Sequence, residues 1–141
     1  MDQGLRRRRS VGASSEIQQT IARLAWGTDL RNIDYIRECY VPDAVFTVVG
    51  SRVVEGRDAI LAGIESTWAK TPPSIGKHVI TNVLVESETD REAEVVSYKN
   101  VIRVVDGRPT VVSTGWYRDS FVNDGGTWRI NARTLTNDAQ V

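Results

Sequence analysis

The sequence predicts an α+β domain in which three helices cover one face of a long antiparallel sheet. Three observations predict it. Helix-type apolar spacing is confined to the part of the chain before Pro72-Pro73. Beyond that point come long strand-type stretches with no helical period. Those stretches are joined by tight-turn sequences, Asp106-Gly107 and Asn123-Asp124-Gly125-Gly126, which connect antiparallel neighbours. Helices first and a meander last give α+β rather than a parallel α/β fold.

The elements come in the order α-α-β-β-α-β-β-β-β. Ser15-Glu16-Ile17-Gln18 has the form of a capping box and starts a helix at Ser15. Ile17, Ile21, Leu24 and Ala25 give it one apolar face. Residues 29–32 interrupt the pattern. Ile33, Ile36, Arg37 and Tyr40 form a second helix, stopped by Pro42 because proline disfavours helical geometry in the residue before it. Residues 44–49 read as a strand, Gly50-Ser51 as a turn and residues 52–54 as a short return strand. Gly56-Arg57-Asp58 opens a third helix with Ile60, Leu61, Ile64 and Trp68 facing inward. Strands over residues 78–86, 92–105, 110–122 and 127–135 complete the chain. A long antiparallel sheet needs one face covered, and three amphipathic helices cover it. If the sheet curves strongly around them, it closes a cone with an apolar interior, a natural place for a small-molecule pocket.

The chain has 141 residues, enough for one domain with a real core. Residues 15–141 are expected to form that domain, and residues 1–14 a disordered basic tail carrying Arg6-Arg7-Arg8-Arg9. Eighteen basic and eighteen acidic residues cancel, which argues against nucleic acid or an anionic membrane as the partner. No apolar run approaches the roughly 20 residues of a membrane span. A single Cys39 forms no internal disulfide and points to a reducing, cytoplasmic setting. It reads as a small buried hydrophobe within the second helix. No metal cluster, phosphate-cradling glycine loop or nucleotide motif is present, so neither metal nor cofactor is expected.

His78 is the only histidine and opens a strand. Imidazole changes charge near neutral pH and is the default proton carrier. Asn82 shares its strand parity and is placed facing the cavity, to hold a substrate oxygen or bond a neighbouring strand. Tyr98 and Tyr117 lie on the long strands, as donors to a developing oxyanion or as core. Trp26 and Trp116 are read as apolar walls of the pocket, and Trp128 as structural. Asp29 reads on its own as an N-cap of the second helix.

Several pieces, in order, resemble the SnoaL-like branch of the NTF2-like superfamily. They are Trp26-Gly27-Thr28-Asp29, Tyr40-Val41-Pro42-Asp43-Ala44-Val45-Phe46, Val54-Glu55-Gly56-Arg57-Asp58-Ala59-Ile60, His78-Val79-Ile80-Thr81-Asn82 and Gly126-Thr127-Trp128-Arg129-Ile130. The resemblance covers nearly the whole chain after Ser14 and implies that superfamily's cone. Scytalone dehydratase and hexachlorocyclohexane dehydrochlorinase are similar in pairing an aspartate after the first helix with a histidine on the third strand. Here those places are held by Asp29 and His78. The resemblance implies a dyad in which Asp29 orients His78 as a base, with Tyr117 near a polar cavity position. It also implies a leaving-group role for Arg133, five residues after Trp128, if a bulge turns it inward. The chain departs from both enzymes: Thr28 stands where the dehydratase has a tyrosine, and no first-helix lysine matches that of the dehydrochlorinase. The implied activity is a cofactor-independent lyase or isomerase on a small, largely apolar substrate, in a homo-oligomer, dimer or trimer. The alternative is a non-catalytic subunit or ligand-binding domain, as in the small subunit of ring-hydroxylating dioxygenases.

Overall fold

The computed structural model describes residues 11–140, with side chains from Ala13 onward, so the Arg6–Arg9 cluster lies outside the described residues. Helix α1 spans Val11–Leu30 and therefore does not start at Ser15. Ala13 and Ile17 lie on one face and are both buried against the core. That burial carries the helix upstream through residues expected to be a tail, and leaves the capping-box sequence inside it. Helix α2 is Ile33–Arg37, β1 is Tyr40–Val48, β2 is Arg52–Glu55 and α3 is Arg57–Lys70. The meander is β3 (Gly76–Glu88), β4 (Glu92–Val105), β5 (Arg108–Asp124) and β6 (Thr127–Gln140).

Tyr40 belongs to β1 rather than to the second helix. The Ile130 amide donates to Cys39 O at 2.8 Å, and Tyr40 pairs with Ile130, so a sheet neighbour draws the chain into strand geometry. Pro42 is absorbed by a register shift between Tyr40 and Val45, where its missing N–H costs no ladder bond. The sheet order is β2-β1-β6-β5-β4-β3. Strands β3 to β6 form an antiparallel meander, but β1 runs parallel to β6, so the curved, unclosed sheet is mixed and not wholly antiparallel. The excursion through α3 and the meander brings β6 back alongside β1 in the same direction. Asp106 (φ 50°) and Gly107 (φ 75°) make the left-handed hairpin turn between β4 and β5.

The helices lie on the concave face, where Ile17, Ile21, Leu24, Ile36, Ile60 and Leu61 pack against Val95, Phe121, Trp128 and Ile130. Within the meander the ladders carry register shifts, among them those at Thr81/Leu84, Val101/Ile102 and Ser120/Phe121. Each bulge bends its strand and reverses which residues face inward beyond it.

Candidate active site

The end of α1 sets the site. Asn32 N donates to Gly27 O at 2.8 Å and Arg31 N to Thr28 O at 3.3 Å, the paired bonds of a Schellman cap, with Arg31 in left-handed geometry at φ 53°. Arg31 then donates from Nη1 to Trp68 O (3.0 Å) and from Nη2 to Thr71 O (2.9 Å), tying the end of α1 to the end of α3. Asp29 therefore sits in the last turn of α1. The N-cap of α2 is Asn32, whose side chain accepts from Tyr35 N, which leaves the Asp29 carboxylate free to turn toward the sheet.

It meets His78. Asp29 Oδ1 lies 2.7 Å from His78 Nδ1, and the His78 amide donates to Oδ1 and Oδ2 at 3.1 and 3.0 Å. A carboxylate only accepts, so Nδ1 carries a proton, and in the neutral ring Nε2 is left with its lone pair. The side chains are 18 % and 25 % exposed for Asp29 and His78, enough shelter to hold the pair and enough opening for a ligand to reach the ring.

His78 stands between two chambers. The inner one, about 200 Å³, runs under the helices past Leu24, Ile36, Phe46 and Ile60 to Tyr40, Tyr117 and Arg133. The outer one, about 560 Å³, opens past Trp68, Pro72, Val101 and Arg103. Thr28, Ile64, Thr67 and His78 line both.

At the inner end lies a second polar centre. Arg133 forms two parallel hydrogen bonds to Asp119, Nε to Oδ1 at 2.7 Å and Nη2 to Oδ2 at 2.9 Å, and its Cζ lies 3.8 Å from the centre of the Tyr117 ring. Asp119 is fully buried and Arg133 nearly so. Burial opposes the Arg133 charge, but Asp119 together with Tyr40 and Tyr117 outweighs it and holds the guanidinium protonated. Burial also raises the Tyr117 and Tyr40 hydroxyls, against the lowering effect of Arg133, so both are neutral donors near pH 7. The Ser120/Phe121 shift turns Arg133 inward: it bulges β6 at Asn131, so Ile130 and Arg133 share the inner face.

Four residues expected at the pocket are not there. Trp26 is 63 % exposed on α1. Asn82 is the bulge residue of β3, with φ 54°, and the bulge breaks its parity with His78. It lies instead on the convex face beside Tyr98 and Trp116, which are paired there across β4 and β5. Conversely, Asp119, Tyr40 and Lys99 are inner-face residues that sequence reasoning passed over. Asp119 shares the parity of Tyr117 and Phe121, and a charge in an otherwise buried alternation was the available signal. Lys99 shares the parity of Val95 and Val101; its Nζ donates to Ser113 Oγ (2.8 Å) and Asn137 Oδ1 (2.9 Å). Cys39 is buried just after α2, its thiol pushed up to about 12 by burial, which makes it a poor nucleophile.

The comparisons agree with this architecture. A protein of unknown function from Mycobacterium tuberculosis, Rv3472, is 26 % identical over 92 % of this chain and 73 % of its own, with a TM-score of 0.79. An NTF2-like protein with a cystatin-like fold from Novosphingobium aromaticivorans is 25 % identical over 89 % and 81 %, with a TM-score of 0.80. A proposed scytalone dehydratase from the same organism has a TM-score of 0.77 over 92 % and 86 %; at 19 % identity that likeness concerns the fold alone. No curated protein matches the chain. The family model described as a SnoaL-like domain matches residues 9–134, and this chain, with its NTF2-like cone, belongs to that family.

Proposed function

We propose that the protein is a cofactor-independent lyase, of the dehydratase kind, or an isomerase acting on a small, largely apolar organic substrate. The observation that carries this reading is the 2.7 Å contact between Asp29 and His78 where the two chambers meet. His78 Nε2 takes a proton from a substrate carbon, and Asp29 stabilises the imidazolium that forms. The electron pair left on carbon either expels a leaving hydroxyl, which receives the proton as water, or shifts and is reprotonated elsewhere. Tyr117, neutral and beside the Arg133 charge, is placed to donate to oxygen as negative charge develops there. Screening a library of hydroxylated and enolisable carbonyl compounds tests the reading. His78→Ala is expected to lower turnover by roughly 10²–10⁴ while the fold survives. An active substrate whose turnover is unaffected by that change would show the mechanism to be wrong.

One observation bears on a second reading, a non-catalytic subunit. The convex face of the sheet exposes Leu84, Tyr98 and Val111, an apolar surface suited to cover by another subunit. A second copy of this chain fits a homo-oligomeric enzyme. A larger copurifying subunit fits a non-catalytic role, and native mass spectrometry of the purified protein distinguishes them.

A further inference from the structure

Arg103 stands at the rim of the outer chamber, on the same face of the sheet as the base. His78 pairs with Val101 and Gly76 with Arg103, so the arginine is one same-face position along β4 from the base's partner. Gly76 leaves room for it: a Cβ there would lie 3.3 Å from Arg103 Cγ and 3.5 Å from Nη1. Arg103 Nη1 donates to Ser74 Oγ. Among the described residues its Nε and Nη2 have no hydrogen-bond partner and no carboxylate pairs with it. The one carboxylate lining the chamber, Asp29, is turned to His78. Arg31, the other guanidinium there, is occupied by the Trp68 and Thr71 carbonyls. On the other side of Val101, Lys99 adds a buried ammonium to the same face, held by two neutral acceptors. Strand β4 thus sets a cation on each side of His78's partner, and Trp68, Ile64 and Pro72 form an apolar wall in the same chamber.

We infer that the outer chamber binds a small organic carboxylate, its anion on Arg103 and its apolar body against Trp68, Ile64 and Pro72, with the reacting carbon toward His78. Nε and Nη2 lie on one edge of the guanidinium, and their parallel N–H bonds match the two oxygens of a carboxylate. Helices α1 and α3 both present their C-terminal ends to the chamber, so no helix dipole assists an anion there and the guanidinium carries the anchor. The direction of the reacting carbon rests on the proposed role of His78. The anchor itself does not.

Sodium benzoate, with benzamide as its neutral counterpart, tests the anchor in the full chain by NMR titration at low salt, following the amides of Gly76 and Val101. Benzoate is expected to shift these signals saturably and benzamide to bind more weakly. Arg103→Gln is expected to weaken benzoate roughly tenfold or more. Arg103→Lys, which keeps the charge without the two-pronged edge, should fall between and separates a lost anchor from a disturbed fold. Equal affinity for benzamide, undiminished benzoate binding in Arg103→Gln, or no saturable shift overturns the inference. Benzoate binding retained in His78→Ala supports the anchor whatever chemistry His78 performs. Turnover that depends on His78 but not on Arg103 would keep the base and overturn the anchor.

Discussion

Asp29 constrains His78 twice: through the ring nitrogen, which sets tautomer and orientation, and through the backbone amide, which holds the start of β3 against the end of α1. Asp29→Asn separates the two. The remaining amide oxygen can still accept from the backbone N–H, so the melting temperature should change little. It can no longer stabilise an imidazolium, and turnover of any substrate found should fall by roughly 10²–10⁴. A large loss of stability with unchanged turnover would make the contact purely structural. Lys99 gives a pH-dependent prediction. Burial lowers its folded-state value below the ordinary 10.5, so between the two values the unfolded chain binds more protons. Stability attributable to Lys99 should therefore rise with pH across that window, and the burial penalty should be fully present below it. Urea denaturation from neutral pH toward 10.5 should show a rise that Lys99→Met abolishes.

At the level of elements, the site depends on how closely α1 and α2 approach. A Cβ on Gly27 would come within 2.9 Å of Ile36 Cγ1, 3.0 Å of Tyr35 Cβ and 3.2 Å of Asn32 O. Two of those three atoms belong to α2 and the third is the carbonyl of its cap, so the helix must move as a unit. Gly27→Ala should destabilise the protein by about 1–3 kcal/mol through overpacking, a cost that the better helix propensity of alanine offsets only in part. Chemical denaturation reads this directly, and a neutral or stabilising result would mean that α2 yields easily. Element positions were largely legible in the sequence: β4 coincides with residues 92–105, and the Asp106-Gly107 turn falls where its left-handed preference puts it. The ends of α1 and α2 were not, because Ala13 and Tyr40 answer to core and sheet partners far along the chain.

The whole molecule is a sheet with helices on one side and an uncovered apolar face on the other. Leu84 and Tyr98 are each 58 % exposed there. If that face joins copies of this chain, Leu84→Glu combined with Tyr98→Lys should shift the protein toward monomer in analytical ultracentrifugation, with secondary structure unchanged. An unaltered sedimentation coefficient would assign the assembly to another surface. Among the described residues no helix is long and apolar enough to cross a membrane.

By itself, the sequence determined the α+β class and the order of the elements, whereas the pairing of Asp29 with His78 came from the family resemblance, since Asp29 alone reads as a helix cap. Local signals sufficed for these: hydrophobic period, turn residues and motif order are properties of neighbouring positions. Tertiary structure alone decided which side chains enter the chambers. A single bulge residue, Asn82 in β3 or Asn131 in β6, reverses the facing of the residues beyond it. One bulge sent Asn82 to the convex face and the other brought Arg133 onto Asp119 in the interior. Bulges arise from the fit between strands distant in sequence, so strict alternation counted along one strand cannot register them.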